Sequence, residues 1–280
     1  MSPALLGLVL SAALFHASWN VVARQHAGHL AVLWLGALLA WIAITPLAVV
    51  LLWQSAPLPM TAFACMLATG IIHVLYFLAL SSAYQRGEIS LVYPVARGSG
   101  VALTALGGAW WLDEELSHTG LVGIAAVSIG ILLFAVPGWT TRGRGLRQAL
   151  AVGATIPAYS LVDKVGTGLV HPIVYIWAMY GISCLGLALF VFGRFRGQIR
   201  TIARQRVGGI ALIGLGSMLT YLIILFAYRM GPVGYVVAAR ESSVLFGALF
   251  GVLFLKERLT AWRVTALAAV LVGLVCLRLA

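Results

Sequence analysis

The sequence predicts an all-α integral membrane protein with ten transmembrane helices arranged as two inverted five-helix repeats. Three observations support this fold class. The 280 residues are 62% hydrophobic and 9% charged, whereas a soluble domain carries about 25% charged residues. Apolar runs long enough to cross a bilayer follow one another along nearly the whole chain. Finally, the end of the first half of the chain resembles the end of the second half.

The apolar runs predict ten spans, because about 20 residues at 1.5 Å each cross the hydrocarbon core. Little chain is left over for a soluble domain. The first run lacks a basic segment ahead of it, so we interpret it as a retained span and not as a cleaved signal peptide. The predicted spans are Ala4–Val22, Leu30–Trp53, Thr61–Tyr84, Ile89–Leu112, Thr119–Pro137, Leu146–Asp163, Pro172–Gly193, Gly208–Tyr228, Pro232–Leu255 and Ala261–Leu279.

The net charge of +11 would suit a nucleic-acid-binding protein, but its distribution along the chain argues against that class. Counting off the spans places Lys164, Arg229 and Arg278 on one side of the membrane. The other side holds Arg24, Arg86, Arg142, Arg144, Arg147, Arg194, Arg196, Arg200, Arg204, Arg206, Lys256, Arg258 and Arg263. Basic loops of membrane proteins are cytoplasmic, so the basic side is predicted to face the cytoplasm and both termini to lie outside.

The chain contains an internal repeat. Ser90–Val136 aligns without a gap on Val233–Leu279, and this alignment places Arg97 on Arg240. Each copy corresponds to five spans, and because five is odd the second copy would enter the membrane from the opposite side. The predicted units are residues 1–140 and 141–280. In transporters built from inverted repeats, the substrate site lies at the repeat interface near the bilayer midplane.

Arg97 and Arg240 lie inside the fourth and ninth predicted spans. A guanidinium at the centre of a span costs about 2.5–3.5 kcal/mol on insertion scales, so each should face protein, water or a ligand. In a structural interpretation, each cation is tied to backbone carbonyls or to Glu241. In a functional interpretation, the two arginines bind an anionic or zwitterionic substrate, because the planar guanidinium matches a carboxylate or phosphate.

Glu241 is, by this reading, the one acid deep in a span. It follows Arg240 directly, and neighbours at i and i+1 of a helix do not face each other. Its predicted partner is therefore Arg97 or a residue of another helix. Glu241 would be either one member of a permanent ion pair or a group that binds and releases a proton.

Polar and aromatic side chains recur at helical spacing in other spans. Each alone suits a buried core position, but together they would line an aromatic, sparsely polar cavity of the kind that holds a small molecule. Glu114 and Glu257 follow their spans and are predicted to bond turn backbone or a neighbouring helix end. The candidate substrate-binding residues are His16, Trp19, Asn20, His73, Tyr76, Tyr93, Tyr159 and Tyr221, together with Arg97, Arg240 and Glu241.

The sequence carries no nucleotide-binding loop, no nucleophile elbow and no zinc-protease motif. Neither an ATP-driven pump nor an enzyme is predicted, and no cofactor or metal is expected.

The segment Ala83–Gly98 (AYQRGEISLVYPVARG) resembles the first-repeat signature of the drug/metabolite transporter superfamily, EamA type. Leu112–Leu116 (LDEEL) and Leu255–Leu259 (LKERL) resemble its two turn motifs. The resemblance covers essentially the whole chain. It implies ten helices in two inverted halves and an alternating-access carrier that exports small metabolites or toxic compounds.

The sequence departs from the small four-helix relatives of this superfamily in one respect. Those relatives carry a membrane-embedded glutamate in the first helix, where this chain has His16, Trp19 and Asn20 and no acid. Coupling through a first-helix carboxylate is therefore not expected.

From these features we expect a secondary-active, multi-pass exporter in a bacterial plasma (inner) membrane. The expected substrate is a small polar or amphipathic metabolite, such as an amino acid or another organic anion or zwitterion. A proton or a counter-substrate would couple its transport, and a monomer would suffice. One alternative is a broad-specificity exporter of hydrophobic drugs, in which Arg97 would matter only for folding. An intramembrane lipid-modifying enzyme is a third class, and the lack of a paired catalytic constellation argues against it.

Overall fold

The computed structural model describes residues 1–23, 29–55, 57–86, 89–136, 145–256 and 259–280; for residues 19–23, 89–90 and 254–255 it describes the backbone alone. The described residues form twelve α-helices. They are α1 (Pro3–Ala23), α2 (Leu30–Gln54), α3 (Met60–Arg86), α4 (Ile89–Trp111), α5 (His118–Leu133), α6 (Leu146–Leu169), α7 (Pro172–Phe195), α8 (Ile199–Gln205), α9 (Val207–Tyr228), α10 (Val233–Arg240), α11 (Ser243–Leu255) and α12 (Ala261–Leu279).

Six helical segments are long and apolar enough to cross a membrane: α2, α3, α7, α9, the combined α10–α11 run and α12. Shorter apolar stretches lie at Pro3–Ser18 in α1 and at His118–Leu133, which is α5. The chain is thus an all-helical, multi-pass membrane protein. The number of ten spans stays a prediction.

Helix α6 is longer than the sequence-based boundary at Asp163 indicated. It continues to Leu169, so Asp163 and Lys164 lie inside the helix and not at its end. A charged pair lowers local hydropathy, but a helix continues through it when the side chains find partners in the protein. This correction places a buried carboxyl group near the centre of the fold.

The ninth predicted span is interrupted. Helix α10 ends at Arg240 and α11 begins at Ser243. At the interruption the amides of Glu241 and Ser242 donate to the carbonyls of Ala238 and Ala239, three residues back, and this pattern tightens the turn. Discontinuous helices of this kind expose polar backbone and side chains in the interior of membrane proteins.

The helices pack in pairs that join the two halves of the chain. Helix α5 lies along α12, α3 and α4 lie along α6, and α1 lies along α9 and α11. Helices α2 and α9 approach closely, because a Cβ atom on Gly36 would lie only 3.1 Å from the Gly214 nitrogen. Helix α10 is enclosed by this arrangement, and every residue from Val233 to Arg240 is buried. Arg240 is therefore held at the centre of the bundle.

Candidate functional site

A cavity of about 230 Å³ lies between the two halves of the chain. Its walls are mainly apolar and aromatic, and they come from α1, α2, α3, α4, α6, α7, α9 and α10. Eight of the candidate residues line it: His16, His73, Tyr76, Tyr93, Arg97, Tyr159, Tyr221 and Arg240. The sequence-based grouping of these side chains around one space thus agrees with the structure.

The other three candidate residues are placed differently. Glu241 is not part of the cavity wall and is 1% exposed. The side chains of Trp19 and Asn20 lie outside the described residues.

The cavity extends from the middle of the bundle toward one face. Tyr84 lies in the last turn of α3, Tyr93 in the second turn of α4, Val152 in the second turn of α6 and Ile213 in the second turn of α9. These helix ends adjoin the connections that carry most of the arginines. The cavity is therefore directed toward the basic face of the protein.

Glu114 joins the α4–α5 connection to the start of α10 at the opposite end of the bundle. Both of its carboxylate oxygens accept the backbone N–H of Val233, at 2.9 Å each. Val233 is the first residue of α10, so the predicted bond from Glu114 to a neighbouring helix end is confirmed. The Tyr235 hydroxyl accepts the backbone N–H of Ser117 at 2.9 Å, which joins α10 to the start of α5. Glu257, which corresponds to Glu114 in the second repeat, lies outside the described residues.

Lys164 adds a cation to the same end. Its ammonium group donates to the carbonyl oxygens of Tyr228 and of Gly231, the latter at 2.8 Å, and lies 3.8 Å from Glu114 Oε1. We call Glu114, Ser117, Lys164 and Tyr235 the distal polar network. It closes the end of the bundle that lies away from the basic face.

Arg97 and Glu241 form a two-point ion pair. Arg97 Nη2 lies 3.0 Å from Glu241 Oε1, and Arg97 Nε donates to Glu241 Oε2 at 3.2 Å. The prediction that Glu241 pairs with Arg97 is confirmed. Tyr93 lies beside the same guanidinium, with its ring centroid 5.7 Å from Arg97 Cζ. One edge of the Arg97 guanidinium, formed by Nε and Nη2, is thus already used within the protein.

Arg240 is less well satisfied than Arg97. Its side chain is 7% exposed, its Nη2 donates to the Tyr159 hydroxyl at 3.5 Å, and its Nε lies 4.0 Å from Glu241 Oε1. Within the described part of the chain, this Nε has no hydrogen-bond partner. The contact with Glu241 arises because α10 ends at Arg240, so the i, i+1 argument for a continuous helix does not apply here. Arg240 is thus a buried cation that lines the cavity and is only partly satisfied by the protein.

An aromatic cluster forms the wall next to Arg240. The His73 ring centroid lies 4.7 Å from that of Tyr159, 5.7 Å from that of Tyr221 and 6.2 Å from that of Tyr76. His73 Nδ1 donates to the Thr69 carbonyl at 2.8 Å, because a carbonyl can only accept. In the neutral ring, Nε2 is then the acceptor. The cluster joins α3, α6 and α9 around one polar aromatic surface.

Sequence reasoning missed Asp163. This side chain is fully buried and accepts hydrogen bonds from the Tyr175 hydroxyl at 2.8 Å and from the Tyr221 hydroxyl. The interpretation of Glu241 as the one acid deep in a span is therefore wrong. A sequence signal was present, since Asp163 follows Tyr159 by one helical turn and so shares its face. The span boundary drawn at Asp163 hid it.

The comparisons with known proteins agree with this architecture. Residues 144–279 match the model of the EamA-like transporter family. A stretch of 63 residues, 22% of this chain, is 38% identical to "Multidrug resistance protein EbrA" of Bacillus atrophaeus and spans 60% of that relative's length. A solved structure described as "Crystal structure of protein" superposes over 100% of this chain and 98% of its own, with a TM-score of 0.71 and 15% identity, which is a likeness of fold. The resemblance indicated by the sequence is confirmed by this match, since residues 144–279 fit the model of the EamA-like transporter family.

Proposed function

We propose that the protein is a secondary-active transporter that exports a small organic anion or zwitterion, such as an amino acid, through the central cavity. The observation that carries this proposal is Arg240, a buried guanidinium that lines the cavity and, within the described residues, has no hydrogen-bond partner at its Nε. The match of residues 144–279 to a transporter family model supports transport as the activity. A binding site of this size and aromatic character suits one small molecule.

The charges around the cavity favour an anionic group. Arg97 and Glu241 neutralise each other, and Arg240 makes only distant contacts. A carboxylate at about 4 Å from a guanidinium gains roughly 4 kcal/mol at an effective dielectric constant of about 20. The planar guanidinium of Arg240 would bind it at two points. The structure therefore shifts the proposed substrate contact from both arginines toward Arg240, with Arg97 in a supporting position.

The arrangement of the cavity supports alternating access. The cavity is directed toward the basic face, and the distal polar network closes the opposite end. If the basic face is cytoplasmic, as the charge distribution predicts, this conformation would take up substrate from the cytoplasm. Opening would then require the distal polar network to separate. This orientation, in a bacterial inner membrane and as a monomer, belongs to the proposal.

The helix contacts support two inverted halves, residues 1–140 and 141–280, with ten spans. In such an arrangement each contact should have a counterpart with the halves exchanged. The contact of α3 with α6 has a counterpart in that of α9 with α1, and the contact of α2 with α9 has one in that of α7 with α3. The contact of α4 with α6 likewise corresponds to that of α10 and α11 with α1. Pairings of this kind are expected for inverted-repeat transporters.

A second candidate function is a broad-specificity exporter of hydrophobic drugs. It is favoured by the aromatic walls of the cavity and by the similarity to a protein named for multidrug resistance. In that case lipophilic cations, and not carboxylates, would be the ligands, and Arg240 would disfavour them by charge repulsion.

A thermal-denaturation panel on the detergent-purified protein tests the proposal. The panel contains amino acids and organic acids, the matching amides and amines that lack the carboxylate, and lipophilic cations. A ligand at about 100 times its Kd stabilises by about 2.7 kcal/mol, which raises Tm by several degrees. We expect stabilisation by carboxylate compounds, its loss in Arg240→Gln, and its retention in Arg229→Gln, which alters an exposed arginine.

Two results would contradict the proposal. Stabilisation by lipophilic cations alone would favour the drug exporter. If carboxylate compounds stabilised the parent and Arg240→Gln equally, Arg240 would not be part of the binding site. Compounds that stabilise the parent are then followed by counterflow in proteoliposomes without ATP, where Arg240→Gln should transport at least tenfold more slowly.

A further inference from the structure

We propose that Asp163 is a proton-binding residue of this transporter, and that Tyr221 connects its protonation to the cavity. The inference deepens the proposed function, because it assigns the coupling ion and its site. Proton binding itself can be measured without any substrate.

The two buried acids differ in what surrounds their charge. Glu241 lies between two cations, at 3.0 Å from Arg97 and 4.0 Å from Arg240, so its negative charge is offset. Within the described part of the chain, Asp163 forms no ion pair with a lysine or arginine. Its neighbour Lys164 instead donates to backbone carbonyls and contacts Glu114. A buried carboxylate without a cation is costly, and binding one proton removes that cost.

The surroundings of Asp163 are hydroxyl groups, one imidazole and one thiol. Tyr175 of α7 and Tyr221 of α9 bond its two oxygens, and Tyr228 of α9 lies in the same region. Helix α3 contributes the Thr69 side chain, which hydrogen-bonds Asp163, and the side chains of His73 and Cys65, which interact with Asp163 electrostatically. On α6 itself, the Tyr159 hydroxyl accepts from Arg240, the cation of α10.

These groups suit a proton better than a metal ion. No set of three or more His, Cys, Asp and Glu among the described residues is arranged to hold a metal. A single carboxyl group between hydroxyl donors needs only one proton to become neutral. His73 is the one neighbouring imidazole, and its Nε2 could relay a proton between this carboxyl group and the cavity.

Tyr221 connects Asp163 to the substrate space. Its hydroxyl bonds the carboxylate, while its ring lines the cavity and contacts His73 and Tyr159. When a proton joins one carboxylate oxygen, that oxygen becomes a donor, and a hydroxyl group of Tyr175, Tyr221 or Thr69 would accept from it. The step forms one O–H bond and reorients one hydrogen bond. It also removes a negative charge near the cavity, so proton binding at Asp163 and anion binding at Arg240 would favour each other.

Infrared difference spectroscopy of the purified protein tests this inference directly. Spectra are recorded without substrate in sodium-free buffer, between about pH 5 and about pH 9, where buried carboxyl groups titrate. The parent should show a protonated-carboxyl C=O band that disappears as the pH rises. Asp163→Asn should lose this band. Glu241→Gln and the exposed Asp113→Asn should keep it.

A second variant keeps the test informative if Asp163→Asn does not fold. Tyr221→Phe keeps the carboxyl group and removes one donor to its charged form, so the midpoint of the band should move to higher pH. A band that persists in Asp163→Asn, or a parent without a titrating band, would overturn the inference. Either result would leave the anion proposal intact, because that proposal rests on Arg240. If Arg240→Gln lost ligand binding but kept the carboxyl band unchanged, proton binding at Asp163 would be independent of the anion site.

Discussion

At the scale of single residues, the two arginines related by the internal repeat have different roles. Arg97 is held by both oxygens of Glu241, and Arg240 keeps an unpaired donor. The difference comes from the one acid between them, because the first half has Gly98 where the second has Glu241. The equal treatment of the two arginines in the sequence analysis is therefore revised. Arg97 holds Glu241, and we propose that Arg240 is the arginine that contacts the ligand.

We predict that Arg97→Gln destabilises the protein by about 3–5 kcal/mol, because it leaves Glu241 buried with only its distant contact to Arg240. The double variant Arg97→Gln/Glu241→Gln should recover much of this loss, since neither side chain is then charged. Thermal denaturation of the three proteins in the same detergent measures both effects.

The control for this cycle is Arg229→Gln, which alters an exposed arginine and should change stability by less than about 0.5 kcal/mol. If Arg97→Gln proved as stable as the parent, the ion pair would contribute nothing to the fold. Arg97 would then regain the role of a substrate donor.

At the scale of helices, α10 connects the distal end of the bundle to the cavity. Its first residue is held by Glu114 of the distal polar network, and its last residue is Arg240. A helix of eight residues is too short to bend, so a displacement of its first turn would be transmitted to the guanidinium. This provides a physical route between closure of one end and ligand contact at the centre.

We predict that Glu114→Ala loosens the first turn of α10, because the buried amide of Val233 loses its acceptor. An unsatisfied buried donor costs about 1–3 kcal/mol, so amide exchange in residues 233–236 should be roughly tenfold or more faster. Hydrogen–deuterium exchange followed by mass spectrometry measures it.

Glu115→Ala is the matched control, because Glu115 is the adjacent and exposed acid. It should leave the exchange of α10 unchanged. Equal acceleration in both variants would show that the effect belongs to the α4–α5 connection and not to the bond between Glu114 and Val233.

At the scale of the whole molecule, the positive charge is concentrated at the face toward which the cavity is directed. The connection between α7 and α9 alone carries Arg196, Arg200, Arg204 and Arg206. Insertion places such connections in the cytoplasm. The orientation of the cavity in the membrane can therefore be tested through the orientation of the loops.

We predict that Gly197→Cys resists an impermeant thiol reagent in intact cells and reacts after permeabilisation, because the basic residues around it predict that the α7–α8 connection is cytoplasmic. Ser55→Cys, in the α2–α3 connection on the other side, should react in intact cells. Cys65, Cys184 and Cys276 are first replaced, since all three are free thiols. The opposite labelling pattern would reverse the proposed orientation and the direction of the cavity.

The sequence by itself determined the class of the protein and the bounds of most helices. A run of apolar residues must form a helix in lipid, where backbone groups have no water to bond, so runs such as Leu30–Trp53 predicted α2 to within one residue. It also identified Arg97 and Arg240, because a cation inside such a run is rare enough to mark a site.

Only the tertiary structure decided how the buried charges are shared. Whether a guanidinium is paired depends on which helix lies opposite, and that is fixed by packing between helices far apart in the chain. Thus Glu241 bonds Arg97 across 144 positions of sequence, and Asp163 gains two tyrosines from α7 and α9. Hydropathy scores each residue without its tertiary partners, so the predicted span ended at Asp163. The carboxyl group was therefore not recognised as buried, because its partners lie on other helices.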